Sequence, residues 1–195
     1  MTHISEEAYT KELLNQLNSI CPGWILGDKE NSYKSVQSAD LVNHSENLAI
    51  EVKDDFSEEA PEPTPGVIYS RTRSSETLSD RYKHDIEDAH DKFKNYDSYE
   101  TAVIIRFYDF DPFISIYYIL GGLVRLSSQG RIPNTDVNIS RNCSNCSLFA
   151  FYNEMLGALQ FYRNPLSLRK QDKIANVMQK LNFKIKEITK SDFVS

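Results

Sequence analysis

Glu51-Val52-Lys53 is the only place in the 195 residues where an acid stands two positions before a lysine. In a strand such neighbours share a face, because successive side chains point to opposite sides. Leu48, Ile50 and Val52 alternate here with Ala49, Glu51 and Lys53, the period-two pattern of a strand with one face turned to a core. Just before it, Asn43-His44-Ser45-Glu46-Asn47 is a run of turn formers. That run should fold the apolar stretch Ala39 to Val42 back as a hairpin and set Asp40 beside Glu51. Two carboxylates and an ammonium on one patch of sheet suit a bound divalent cation. Magnesium prefers oxygen ligands, usually takes one or two carboxylates, and fills its other positions with water and substrate phosphate. The lysine could hold or deprotonate an attacking water, or neutralise charge building on a phosphorane-like transition state. Both roles are open at this level, and so is a blander alternative, an edge strand with solvated charges.

Asp40, ten intervening residues, then Glu51-Val52-Lys53 resembles the active-site signature of the PD-(D/E)XK nuclease superfamily. Ala39 stands where the name-giving proline would be. The resemblance covers residues 1–107 and is sharpest over 38–53. It implies a restriction endonuclease-like fold and a metal-dependent nuclease, endo or exo, with Asp40, Glu51 and Lys53 catalytic and Mg2+ (or Mn2+) as cofactor. Asp40 and Glu51 would hold the metal, with the Val52 carbonyl as a further ligand and Glu6 as an acid supplied by the first helix. Water would attack in line and the 3′ oxygen would leave. The implied partner is nucleic acid, DNA ahead of RNA, with a homodimer left open. The rival within the same resemblance is a catalytically inactive nuclease-like module that only binds nucleic acid or protein.

The length suits one domain with an appended extension. No long apolar run is present, and Glu6, Glu7, Lys11 and Glu12 occupy the stretch where a signal peptide needs an apolar centre. The expectation is a cytoplasmic protein with no membrane partner. Three cysteines, an odd number, favour reduced thiols. The net charge of −6 hides an asymmetry: residues 1–100 hold 21 acids and 10 Lys/Arg, whereas 101–195 hold 7 acids and 12 Lys/Arg. An acidic, metal-collecting half beside a basic, phosphate-collecting half is compatible with a nuclease.

The elements that must position the site follow from periodicity. Ser5-Glu6-Glu7 opens a helix whose apolar stripe is Leu13, Leu14, Leu17 and Ile20. At about 100° per residue, Glu6 falls on the centre of that stripe and Glu7 to its side. Strands are expected near 24–35, 39–43 and 48–53. Residues 54–66 are acidic and proline-rich, an extended loop, followed by Arg71 and Arg73 as candidate phosphate contacts. Leu78, Tyr82, Ile86, Ala89, Phe93 and Tyr96 mark an amphipathic helix. Lys83 on that helix is a third candidate nucleic-acid contact, while Asp88, His90, Asp91 and Lys92 read as its solvated outer face. Thr101 to Phe107 is an apolar run, a buried central strand.

The predicted fold class is therefore α/β, an αβββαβ core over residues 1–107 with a mostly helical, basic extension over 108–195 packed on the same domain. In that extension 113–126 reads as a buried helix or a pair of strands, and 148–162 as strand or helix. Cys143-Ser-Asn-Cys146 has the spacing of half a zinc site. A helix capped by Ser167 and a last short strand through Phe183 and Ile185 complete the chain. The surplus of Lys/Arg over 163–190 offers a surface to follow a phosphate backbone.

Overall fold

A computed structural model describes residues 4–27, 38–55, 75–107, 143–153, 157–164 and 167–186, and within the helices and strands it leaves aside the side chains of 55, 75–83, 107, 158 and 186. The elements run α1 (Glu6–Ile20), β1 (Trp24–Leu26), β2 (Leu41–Asn43), β3 (Leu48–Asp55), α2 (Ser75–Phe93), β4 (Glu100–Phe107), β5 (Leu148–Asn153), β6 (Ala158–Arg163), α3 (Asp172–Lys180) and β7 (Lys184–Lys186). One helix, three strands, a helix and a strand is the order that periodicity predicts for the first 107 residues. All seven strands form a single sheet in chain order. β1, β2 and β3 are an antiparallel meander, whereas β3, β4 and β5 are parallel. A parallel pair cannot be closed by a tight turn, so α2 spans the crossover from β3 to β4.

Both faces of the sheet are covered. Leu48, Ile50 and Val52 pack with Leu13 and Leu17 of α1 and Ile174, Val177 and Met178 of α3. Ala49, Val103 and Ile105 pack on the other side with Ile86, Ala89 and Phe93 of α2. β3 is thus an inner strand buried on two sides, where the sequence pattern had suggested one buried face.

Beyond residue 107 the described residues comprise three strands and one helix, and the expected mostly helical extension is not shown. β5 carries Phe149 and Phe151 on one face and Leu148 and Ala150 on the other, all buried. A strand buried on both sides loses the alternation that would have marked it. The 113–126 segment lies outside the described residues.

Helix ends are held locally and at long range. Ser5 caps α1 as expected, its hydroxyl accepting from the Ala8 amide at 3.3 Å. Ser167 does not cap α3. The N-cap position is Gln171, whose side chain makes no cap hydrogen bond, and the buried carboxylate of Glu100, at the start of β4, instead accepts from the Ile174 amide at 3.0 Å. An anion at a helix N-terminus satisfies an otherwise orphaned donor and complements the dipole. Glu100→Ala should therefore cost about 1–2 kcal/mol. Glu100→Gln, which keeps an acceptor, should cost less. Urea denaturation of the two variants checks the ranking.

Candidate functional site

The β2–β3 register pairs Leu41 with Ile50 and Val42 with Ala49, so Asp40 stands opposite Glu51. The turn that sets this register is organised by Asn43, whose side-chain oxygen accepts from the Ser45 hydroxyl at 2.7 Å and the Glu46 amide at 3.1 Å. Asn47 closes it in the left-handed region, at φ 57°. Gly27 brings β1 against the residues leading into Asp40. Its amide donates to the Asp40 carbonyl at 2.9 Å, and a Cβ there would lie 1.8 Å from the Ala39 carbonyl oxygen. Only glycine permits that approach.

Two hydrogen bonds tie the carboxylates to the hairpin. The Val52 amide donates to Asp40 Oδ2 at 2.8 Å, and the Asp40 amide donates to Glu51 Oε2 at 3.2 Å. Val52 therefore enters the site through its amide, and its side chain belongs to the α1/α3 core. Lys53 Nζ lies 3.0 Å from Glu51 Oε1. Asp40, Glu51 and Lys53 accordingly meet at one place. Glu51 is 1 % exposed, which rules out a solvated edge charge.

α2 completes the cluster with two residues that sequence reasoning had assigned to a solvated face. Lys53 Nζ also meets Asp88 Oδ2 at 2.5 Å. Lys92 Nζ forms an ion pair with the same Glu51 Oε1, and lies 3.4 Å from Asp88. The result is a closed ring, Glu51, Lys53, Asp88, Lys92, with Asp40 against it. The side chains of Lys53, Lys92 and Asp88 are only 17 %, 16 % and 28 % exposed, so these pairs are partly desolvated and their removal is costly. A signal was available in the sequence: Asp88 and Lys92 are an i,i+4 pair adjoining Ala89 and Phe93 of the apolar stripe.

The electrostatics favour an added cation. Burial raises the Glu51 carboxyl above its usual value, and Asp40 raises it further. Burial likewise raises Asp40, with Glu6 adding to the effect. For Lys53, burial works against the charge, yet Glu51 and Asp88 outweigh it and hold the ammonium above its ordinary value. Burial also acts on Asp88, where Lys53 and then Lys92 prevail and lower it. Three carboxylates share two ammoniums here, a local excess of negative charge.

Glu6 sits at the rim. It is exposed, contrary to its expected place on the buried stripe. Its carboxylate accepts from the Asp54 amide at 3.1 Å, next to Lys53. Glu7 turns away to pair with Lys11. A second cluster steadies the same strand end: Arg106, fully buried on β4, pairs with Asp54 at 2.9 Å, donates to the Ile4 carbonyl at 3.0 Å and lies 4.2 Å over the Tyr9 ring.

Arg71 and Arg73 lie outside the described residues. Lys83 falls within α2, and its side chain lies outside them. Among the described residues of the basic C-terminal segment, α3 packs on the face opposite Glu51 and Lys53, Arg163 pairs with Asp172, Lys173 pairs with Glu46, and Arg169 donates to the Phe93 and Tyr99 carbonyls at and just beyond the end of α2. Cys143 and Cys146 are buried free thiols, and burial pushes Cys143 up to about 12.

Among the described residues no group of three or more His, Cys, Asp and Glu side chains is placed to hold a metal ion. A cation would therefore rest on the two carboxylates of Asp40 and Glu51, the number magnesium ordinarily takes. That donor set fits, and the ammoniums at Glu51 already mark where positive charge is stabilised. Among the described residues no helix is long and apolar enough to cross a membrane. No family model, no curated protein and no solved structure matches the chain.

Proposed function

We propose that this protein is a metal-dependent nuclease of the restriction endonuclease-like class, hydrolysing phosphodiester bonds in DNA in the cytoplasm. One observation carries the reading: Asp40 and Glu51 face each other across β2 and β3, with the Lys53 ammonium on the same face 3.0 Å from Glu51. The meander followed by the α2 crossover supports it as well. Asp40 and Glu51 would hold Mg2+ or Mn2+, with Glu6 at the rim. The bound ion would act as a Lewis acid at a phosphate oxygen and acidify a water.

Of the two roles open to Lys53, charge neutralisation is the one supported. Glu51 and Asp88 hold the ammonium above its ordinary value, which supports a side chain that offers positive charge to the phosphate oxygens as they gain charge. Asp88 is a positioning residue, holding the Lys53 ammonium at 2.5 Å. Arg71, Arg73 and Lys83 are the proposed contacts to flanking phosphates.

The test is cleavage by the whole chain of supercoiled plasmid, a four-way junction and single-stranded DNA, each with Mg2+, Mn2+ or EDTA. At least one substrate should be cut with a divalent cation and none in EDTA. Failure to cut any of them, or cutting indifferent to EDTA, contradicts the reading.

A further inference from the structure

We infer that Lys92 is a displaceable occupant of the cation position, holding Glu51 when no divalent ion is bound and passing to Asp88 when one enters. The inference rests on the metal site proposed above and concerns its regulation. Both oxygens of Glu51 are engaged: Oε2 accepts from the Asp40 amide, and Oε1 is shared by the Lys53 and Lys92 ammoniums. Oε1 is thereby saturated, and a cation gains that oxygen only by removing one of the two ammoniums.

Lys53 is the less able to leave. It rises from β3 two residues beyond Glu51 and is already bound at 2.5 Å to Asp88. Lys92 comes from the opposing helix on a flexible four-carbon stem. A second partner waits one turn back on that helix, Asp88 at 3.4 Å. Its move keeps the ammonium paired, so the cost of uncovering a buried charge does not arise. Asp40 stands opposite Glu51 with one oxygen open to a ligand: Oδ2 is anchored by the Val52 amide, and among the described residues no hydrogen bond reaches Oδ1. A divalent ion brings twice the charge of an ammonium to these carboxylates. Lys92 thus sets the affinity threshold for the metal.

Mn2+ titration followed by the electron paramagnetic resonance of the free ion, without nucleic acid, tests this on wild type, Lys92→Met, Lys92→Arg and Glu51→Gln. Lys92→Met should bind Mn2+ about tenfold more tightly, or better, because a competing charge a few ångströms away is gone. Lys92→Arg keeps the charge and should stay near wild type, while Glu51→Gln should lose the site. Lys92→Gln serves as the second neutral variant should circular dichroism show Lys92→Met unfolded. Unchanged or weaker Mn2+ binding in the neutral variants overturns the inference. Tighter binding in a protein that cuts no nucleic acid upholds it and rejects the nuclease reading. Equal binding by wild type and Lys92→Met in a protein that does cut has the opposite meaning. Absence of saturable binding in both overturns the two together.

Discussion

Lys53→Met is expected to slow magnesium-dependent cleavage by about 10²–10³-fold, the usual loss when one preorganised group facing transition-state charge is removed. The chain should still fold. Glu51 keeps Lys92 as a partner, and Asp88 keeps Lys92 at 3.4 Å, so neither acid is left buried and alone. A purely structural lysine would give a different pattern: its loss would lower stability and the cutting rate together. Here the single-turnover rate at saturating Mg2+ should fall, while the Mg2+ concentration for half-maximal rate should not rise, because a positive charge has left the cation's neighbourhood. Single-turnover kinetics over a Mg2+ series, with circular dichroism of both proteins, separates the two cases.

The largest effect on stability is expected at Arg106. Its side chain is 0 % exposed, and it joins Asp54, the Ile4 carbonyl and the Tyr9 ring. Arg106→Met leaves the partly buried Asp54 carboxylate without that partner, a loss of about 3 kcal/mol. For a chain of this size it corresponds to a fall in Tm of roughly 10 °C. Arg106→Met combined with Asp54→Asn should recover part of the loss, since the carboxylate charge that Arg106 balances is then gone. Asp54 follows Lys53 directly and donates its amide to the Glu6 carboxylate, so the pair also fixes the strand end that carries the site. Thermal unfolding of the single and double variants measures both effects.

How much of this was legible depends on the range of each interaction. The order of elements over residues 1–107 is written in local periodicity, and so is the meeting of Asp40 and Glu51. Turn formers at 43–47 set the hairpin register, and register alone places the two acids opposite each other. Asp88 and Lys92 were misassigned because a charge flanking an apolar stripe looks the same whether it faces water or another charge, and here the other charge is 35 or more residues away. Arg106 lies inside the stretch that reads as an apolar strand. Nothing nearby in the chain announces its partner Asp54, 52 residues earlier. The cap of α3 failed for the same reason, since Glu100 reaches Ile174 across the fold while Ser167 looked locally suitable. β5 was ambiguous because burial on both faces erases the period of two.

The seat of the cation is what the whole account stands on, and a crystal of the intact protein soaked in Mn2+ reports on it directly through the anomalous signal of the metal. A peak bonded to the carboxylates of Asp40 and Glu51, with the Lys92 ammonium drawn back toward Asp88, is the expected result. A map with no peak there, and Glu51 still held by Lys53 and Lys92 at saturating Mn2+, would contradict it.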